Sequence, residues 1–227
     1  MNDEVPLIVP EVNAFAINTH KNIIANPNCS TIQAVVAIAP LHFKYKIKRI
    51  IYSTYQAVSG AGQKGYEDLL ENNKDKKLKK FPYPIAYNCL PHIDKFMANG
   101  YTKEEMKMIN ETKKILDNWE LKITATTVRV PVFYGHSESI NVEFEKSFDI
   151  SDITDTLKKS PGIIVQDDIL NNIYPMPLTA QGHDEVFVGR VRRDESIENG
   201  INMWVVADNI RKGAATNAIQ IMEKLME

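Results

Sequence analysis

Of the 227 residues only two are cysteine, Cys29 and Cys89, and they lie far apart. That excludes a disulfide framework and a cysteine-rich zinc module, and it fits a reducing, cytoplasmic setting. His20, His42, His92 and His183 show no metal-ligand spacing, so no metal is expected. No run approaches the roughly 18 apolar residues of a membrane-spanning helix, so no membrane partner is expected. Charge of neither sign dominates: a net charge of −2 gives no drive toward nucleic acid or acidic lipid. The longest basic run, Lys74–Lys80, contains Asp75 and Leu78 and reads as a solvated loop. The opening Met1-Asn2-Asp3-Glu4 is acidic, where a secretory leader is basic. Only ten residues are glycine, and the richest stretch, Gly60 to Gly65, lacks the G-x-G-x-x-G spacing of a dinucleotide-binding turn.

What is present is an ordinary globular composition, 44% apolar and 25% charged, in a chain long enough for a proper core. Residues 5–12 and 23–26 read as short strands. A helix is expected from about Ser30, where Ser30 and Gln33 make a capping-box pattern, to about Pro40. Residues 49–58 are rich in β-branched and aromatic side chains and read as a strand running into the small-residue turn 59–62, then a helical stretch through Leu70. Residues 71–92 look irregular. Thr102 with Glu105 caps a helix over residues 103–119. Strands are expected at 121–132, 139–148, 162–166, 185–193 and 201–207, with helices at 152–159 and 210–226. Helices fall out of strict βαβ order, which is an α+β pattern with a mixed or antiparallel sheet.

The candidate chemistry centres on Cys29. It follows Asn26-Pro27-Asn28 and sits at the start of a helix, where the positive end of the dipole favours thiolate over thiol. The plain alternative is a small packed thiol. Gln56 ends a strand before a turn. Arg129 and His136 are an odd number of steps apart, so on one unbroken strand they would face opposite sides; Pro131 and Gly135 interrupt the segment and let both reach one pocket. Glu104 and Lys107 share a helix face and read by default as a solvated salt pair. Cys89 reads as a packed thiol, His183 as an exposed turn, and Trp119 and Trp204 as packing.

Taken together, Val9-Pro10-Glu11-Val12-Asn13, Asn26-Pro27-Asn28-Cys29-Ser30-Thr31, Ser53-Thr54-Tyr55-Gln56-Ala57-Val58-Ser59-Gly60-Ala61-Gly62, Val128-Arg129-Val130-Pro131 with His136-Ser137-Glu138-Ser139, and Asp208-Asn209 with Lys212-Gly213-Ala214-Ala215 resemble the motifs, in order, of the aspartate-semialdehyde dehydrogenase family. The resemblance implies the catalytic and dimerisation domain of the glyceraldehyde-3-phosphate-dehydrogenase-like fold, and a homodimer. It implies NADPH-dependent reduction of L-aspartyl 4-phosphate to L-aspartate 4-semialdehyde, with release of phosphate, in lysine, threonine and methionine biosynthesis. Cys29 would be the nucleophile, His136 the general acid/base, and Gln56 would position substrate beside the thiol. Arg129 would hold the substrate carboxylate, Glu104 would face its ammonium group, and Asn28 and Lys107 would contribute to the phosphate site. Ser59, Gly60 and Asn209 would lie near the nicotinamide of NADP.

Family members begin with a dinucleotide-binding domain, and here its glycine-rich turn is missing. The resemblance therefore divides the chain into residues 1–28, the last part of an NADP-binding Rossmann domain; 29–208, the catalytic and dimerisation domain; and 209–227, a helix that would pack back on the nucleotide domain. The alternative is a truncated, non-catalytic dimerisation module lacking a cofactor domain. A sister reductase acting on an acetylglutamyl phosphate fits less well, because an acetylated amine would leave Glu104 without its charge partner.

Overall fold

The computed structural model describes residues 2–71 and 78–227. Residues 74–77 of the basic run read as a loop lie outside the described residues, as does Met1 of the acidic opening. The strands β1 (Ile47–Gln56), β2 (Lys122–Arg129), β3 (His136–Phe144), β4 (Ile163–Val165), β5 (Val186–Asp194) and β6 (Gly200–Ala207) form one sheet in the order β2-β1-β3-β6-β5-β4. Its inner pairs are antiparallel, and its outer pairs β1/β2 and β4/β5 are parallel. The sheet is thus mixed, as the irregular alternation of elements implied.

Among the described residues the α-helices are α1 (Pro10–Asn13), α2 (Cys29–Tyr45), α3 (Gln63–Glu71), α4 (Lys103–Ile115), α5 (Ile150–Lys158), α6 (Pro177–Ala180) and α7 (Thr216–Met226), of which α2, α4, α5 and α6 lie against the sheet. Alternation along the strands sets up two faces. On one, Ile50 and Tyr52 of β1, Ala125 of β2, Ile140 and Val142 of β3, and Ile201, Met203 and Val205 of β6 bury against α2, whose Ile32, Val35, Val36 and Ile38 are also buried. A helix buried on nearly every side needs apolar residues all round, and residues 34–39 of α2 supply them. The other face carries Tyr55 and Trp204, whose ring centroids lie 5.4 Å apart, and Trp204 Nε1 donates to the Pro175 carbonyl at 3.1 Å.

Several expectations change. Residues 5–12 and 23–26 are not strands: only a parallel bridge joins Leu7 to Ala25, and Pro10, with its φ already helical, opens α1 instead. The helix expected to stop at Pro40 runs on to Tyr45, because the tight packing of Leu41 and Tyr45 outweighs the one hydrogen bond a proline forfeits. The last segment opens as a π turn, Arg211–Ala215, before α7. Cys89 is exposed rather than packed. The capping box at Thr102 forms as read: Glu105 N–H donates to Thr102 Oγ1 (3.3 Å) and Thr102 N–H to Glu105 Oε2 (2.7 Å).

The early and late parts of the chain meet over Lys212. Its buried ammonium donates to both Glu11 oxygens at 2.7 Å, to Gln220 Oε1 at 2.7 Å and to Asn217 Oδ1 at 3.2 Å. Phe15, Ile23, Ile219 and Met222, on the two stretches this clasp joins, are exposed.

Candidate active site

The site is built at the start of α2. Asn28, not Ser30, is the N-cap: its Oδ1 accepts from the Ser30 N–H (3.0 Å) and the Thr31 N–H (3.3 Å), making Cys29 the first helical residue. The expected Ser30–Gln33 capping box does not form, because Ser30 already lies inside the helix, and its buried hydroxyl has no partner. Asn28 is held in turn by α4. Its N–H donates to Glu111 Oε2 and its Nδ2 to Glu104 Oε1, both at 2.8 Å. From the other side, Gly213 in the π turn lies so close to the cysteine that a Cβ there would come within 3.0 Å of Cys29 Cβ.

The ends of three strands face this helix. Gln56 of β1 is the register partner of Arg129 of β2, and both are buried. Arg129 and His136 stand on different strands on either side of β1, so the parity that would separate them on one strand does not apply. They converge on the backbone of residue 57: Arg129 Nη1 donates to the Ala57 carbonyl, and the Ala57 N–H donates to His136 Nδ1 at 3.0 Å. With Nδ1 accepting, the proton of the neutral imidazole sits on Nε2, which is buried without a partner. Gln33, one turn along α2 from Cys29, donates from Nε2 to the His136 carbonyl (3.2 Å) and so docks the helix on the first residue of β3. Gly60 closes the cavity: a Cβ on it would lie 3.1 Å from both Arg129 Nη1 and His136 Nε2.

Glu104 lies on the third side. Its Oε1 accepts from Gln56 Nε2 (3.4 Å) as well as from Asn28, and its Oε2 from Lys107 (3.4 Å). Lys107 is shared with Asp94 at 3.5 Å. Asn209, just past β6, receives the Gly135 N–H on Oδ1 at 2.9 Å and donates from Nδ2 to Ser59 Oγ at 3.0 Å. Cys29, Asn28, Gln56, Glu104, Arg129 and His136 are thus drawn together, with Lys107 at the rim and Ser59, Gly60 and Asn209 along one wall.

The electrostatics correct one expectation. Burial and the Glu104 carboxylate push the Cys29 thiol up to about 12, against the pull of the Arg129 guanidinium and the Ser30 backbone N–H. A helix start alone therefore does not make a thiolate here; desolvation wins. Burial, with the Arg129 charge beside it, holds His136 well below the ordinary histidine value, so the ring is neutral. Burial raises the Glu111 carboxyl, against the N–H of Asn28. Burial opposes the charge on Lys107, but Glu104 and Asp94 hold it above the ordinary lysine value.

Sequence reasoning assigned no part to Glu111, Gly213 or the backbone of Ala57. Glu111 lies seven residues from Glu104, two turns along one helix face, so helical periodicity could have found it. Gly213 and Ala57 act through backbone position, and nothing in their residue type signals it. Among the described residues no group of histidine, cysteine, aspartate and glutamate side chains could hold a metal ion, and no helix is long and apolar enough to cross a membrane.

The family described as semialdehyde dehydrogenase, dimerisation domain, matches residues 38–212. The chain is similar to the aspartate-semialdehyde dehydrogenases of Aquifex aeolicus, at 56% identity over all of this chain and 69% of that protein, and of Bacillus subtilis, at 48% over 99% and 69%. Among solved structures it resembles aspartate semialdehyde dehydrogenase II of Vibrio cholerae complexed with ASA, with a TM-score of 0.94 at 48% identity over 98% of this chain and 68% of that one. The Candida albicans enzyme with NADP matches with a TM-score of 0.76 at 28% identity over 98% and 67%.

Proposed function

Because the chain belongs to the aspartate-semialdehyde dehydrogenase family, we propose that its site carries the acyl-transfer half of an NADPH-dependent reduction of L-aspartyl 4-phosphate to L-aspartate 4-semialdehyde. That is a cytoplasmic oxidoreductase step toward lysine, threonine and methionine. The observation that carries this reading is the convergence of a thiol, a neutral imidazole, a buried guanidinium and a buried carboxylate at one end of the sheet.

Arg129 takes the substrate α-carboxylate, for which a guanidinium fork suits the geometry. Glu104, already ringed by the donors Asn28, Gln56 and Lys107, takes the ammonium group. Gln56 sets the acyl carbon beside Cys29. Asn28 and Lys107 face the phosphate. Sulfur attacks the acyl carbon, the carbon–oxygen bond to phosphate breaks, and the thiol proton leaves on hydrogen phosphate. The product is a thioester on Cys29, more electrophilic than a carboxylate. His136, with its proton on Nε2, is placed to donate a hydrogen bond to the oxyanion that forms at the acyl carbon and to hold it until the carbonyl re-forms and sulfur departs, taking up a proton from water.

NADPH, when bound, supplies the hydride. The wall of Ser59, Gly60 and Asn209 fits its nicotinamide end: Gly60 leaves open the space a Cβ would take beside His136, and Asn209 is fixed by Ser59 and Gly135. We assign residues 1–28 and 209–227 to the side that meets a nucleotide-binding domain, and residues 29–208 to catalysis and dimerisation. The partner copy would cover the face bearing Tyr55 and Trp204.

The acyl-transfer half is testable without cofactor. Mixed with β-aspartyl phosphate, the chain should gain the mass of an aspartyl group, mapped by peptide mass spectrometry to Cys29, and Cys29→Ser should gain none. Absence of the adduct, or its appearance on exposed Cys89 instead, would sink the reading.

A further inference from the structure

Behind the site lies a second row of side chains on the same sheet face. Residues of β2, β1, β3 and β6 align there as Thr127, Thr54, Glu138 and Val205, between the site residues Arg129, Gln56 and His136 and the apolar row Ala125, Tyr52, Ile140 and Met203. Glu138 is wholly buried, and neither carboxyl oxygen has a hydrogen-bond partner. It belongs to the His136-Ser137-Glu138-Ser139 motif, and no role follows for it from the reaction above. Ser30 Oγ and Gln33 Oε1 of α2 and Thr127 Oγ1 of the same row are likewise buried without partners. Titratable and charged groups on the elements packed here include Cys29 of α2, Tyr52 of β1, Arg129 of β2, His136 of β3 and Glu104, Glu105 and Glu111 of α4, Glu105 accepting from the Thr127 N–H at 3.0 Å and Glu111 from the Asn28 N–H; β6 turns only Val205 and Ala207 this way. Arg129 is engaged with the Ala57 carbonyl, and His136 is neutral. A carboxylate buried with no ion pair and no donor costs several kilocalories per mole. The carboxylic acid costs far less.

We propose that Glu138 is a positioning residue for the Cys29 chemistry: kept as a neutral acid in the row behind the site, it spares the sulfur a second anion beside Glu104. The proposal rests on reading Cys29 as the nucleophile. The two carboxyls then have opposite duties. Glu104, ringed by donors, carries the charge the substrate ammonium needs, whereas Glu138, without donors, must not carry one. Glu138 stands two residues along β3 from His136, on which α2 is docked through Gln33, so an anion there would disfavour the thiolate at the start of that helix.

The experiment is alkylation of Cys29 by iodoacetamide, followed by peptide mass spectrometry with Cys89 as internal reference, from pH 6 to pH 11. Glu138→Gln keeps the shape of the neutral acid and cannot ionise. At pH 7 its Cys29 rate should stay within about threefold of wild type, and at any pH where the wild-type Glu138 is ionised it should exceed wild type. A larger loss at pH 7 would mean the carboxylate is needed. Superimposable profiles over a range in which the 13C signal of the wild-type Glu138 carboxyl shows the ionised form would mean the sulfur does not sense its charge. Either result overturns the proposal. If the variant does not fold, the wild-type chain with 13C-labelled glutamate decides: the Glu138 carboxyl carbon should show the acid form at pH 7, and an ionised signal overturns the proposal. Neither measurement uses acyl phosphate. Failure of thioester formation would thus count against the family chemistry and leave this result standing.

Discussion

Gly60 is a tight point of the site. Any side chain there meets the arginine and the histidine together, each 3.1 Å from its first carbon. Neither can retreat freely, since both are buried and bonded to the backbone of residue 57. Gly60→Ala should therefore cut kcat/KM of the cofactor-complete enzyme by about tenfold or more through misplacement alone, with little change in melting temperature. Steady-state kinetics beside a thermal melt check this, and an unchanged kcat/KM would show that the cavity yields. At this scale the sequence was most legible where residue type carries chemistry. Cysteine, histidine, arginine, glutamine and glutamate were picked out and are drawn together. The ionisation of the thiol was misjudged because the helix dipole is local and visible in sequence, whereas desolvation depends on what the fold lays over the sulfur.

At the scale of elements, the α2 start shows how a cap can also serve as a hinge pin. Asn28 closes the first turn with one end of its amide and grips Glu104 with the other, while Glu111 holds its N–H. Asn28→Ala removes the cap and should cost about 1 kcal/mol, a fall of roughly 2–4 °C in melting temperature by scanning calorimetry. Acyl-enzyme formation should fall more steeply than stability, since Glu104 loses its shortest bond. The core elements β1, β2, β5, β6, α4 and α5 were readable because period-2 and period-3.6 patterns survive wherever one face is buried. The misreadings fall where a tertiary partner overrides the local signal. Pro40 is carried through a helix held by packing, and residues 5–12 have no neighbouring strand to pair with beyond one bridge.

At the scale of the whole molecule, apolar side chains stand exposed on the outer sheet face and along residues 14–25 and α7, among other places. Tyr55 and Trp204 pack on the first with their rings tilted by 46°, and Trp204 is tied to Pro175. Trp204→Glu places a charge at the centre of that face and should convert a dimer into a monomer in sedimentation velocity. A dimer that persists would move the interface elsewhere. The topology of the sheet was the least legible feature, because neither parallel outer pair leaves a local mark: which strands pair across long connections is decided by three-dimensional packing. The buried ammonium of Lys212 joins residues 201 positions apart, and its neighbour Gly213 leans on the cysteine. This arrangement behaves like a fuse. A protease that nicked the chain around Glu11, or a mechanical tug on α7, would take acceptors from the ammonium, let the π turn relax and slide the glycine off Cys29. Chemistry would be extinguished from a distance, with every reactive side chain still intact.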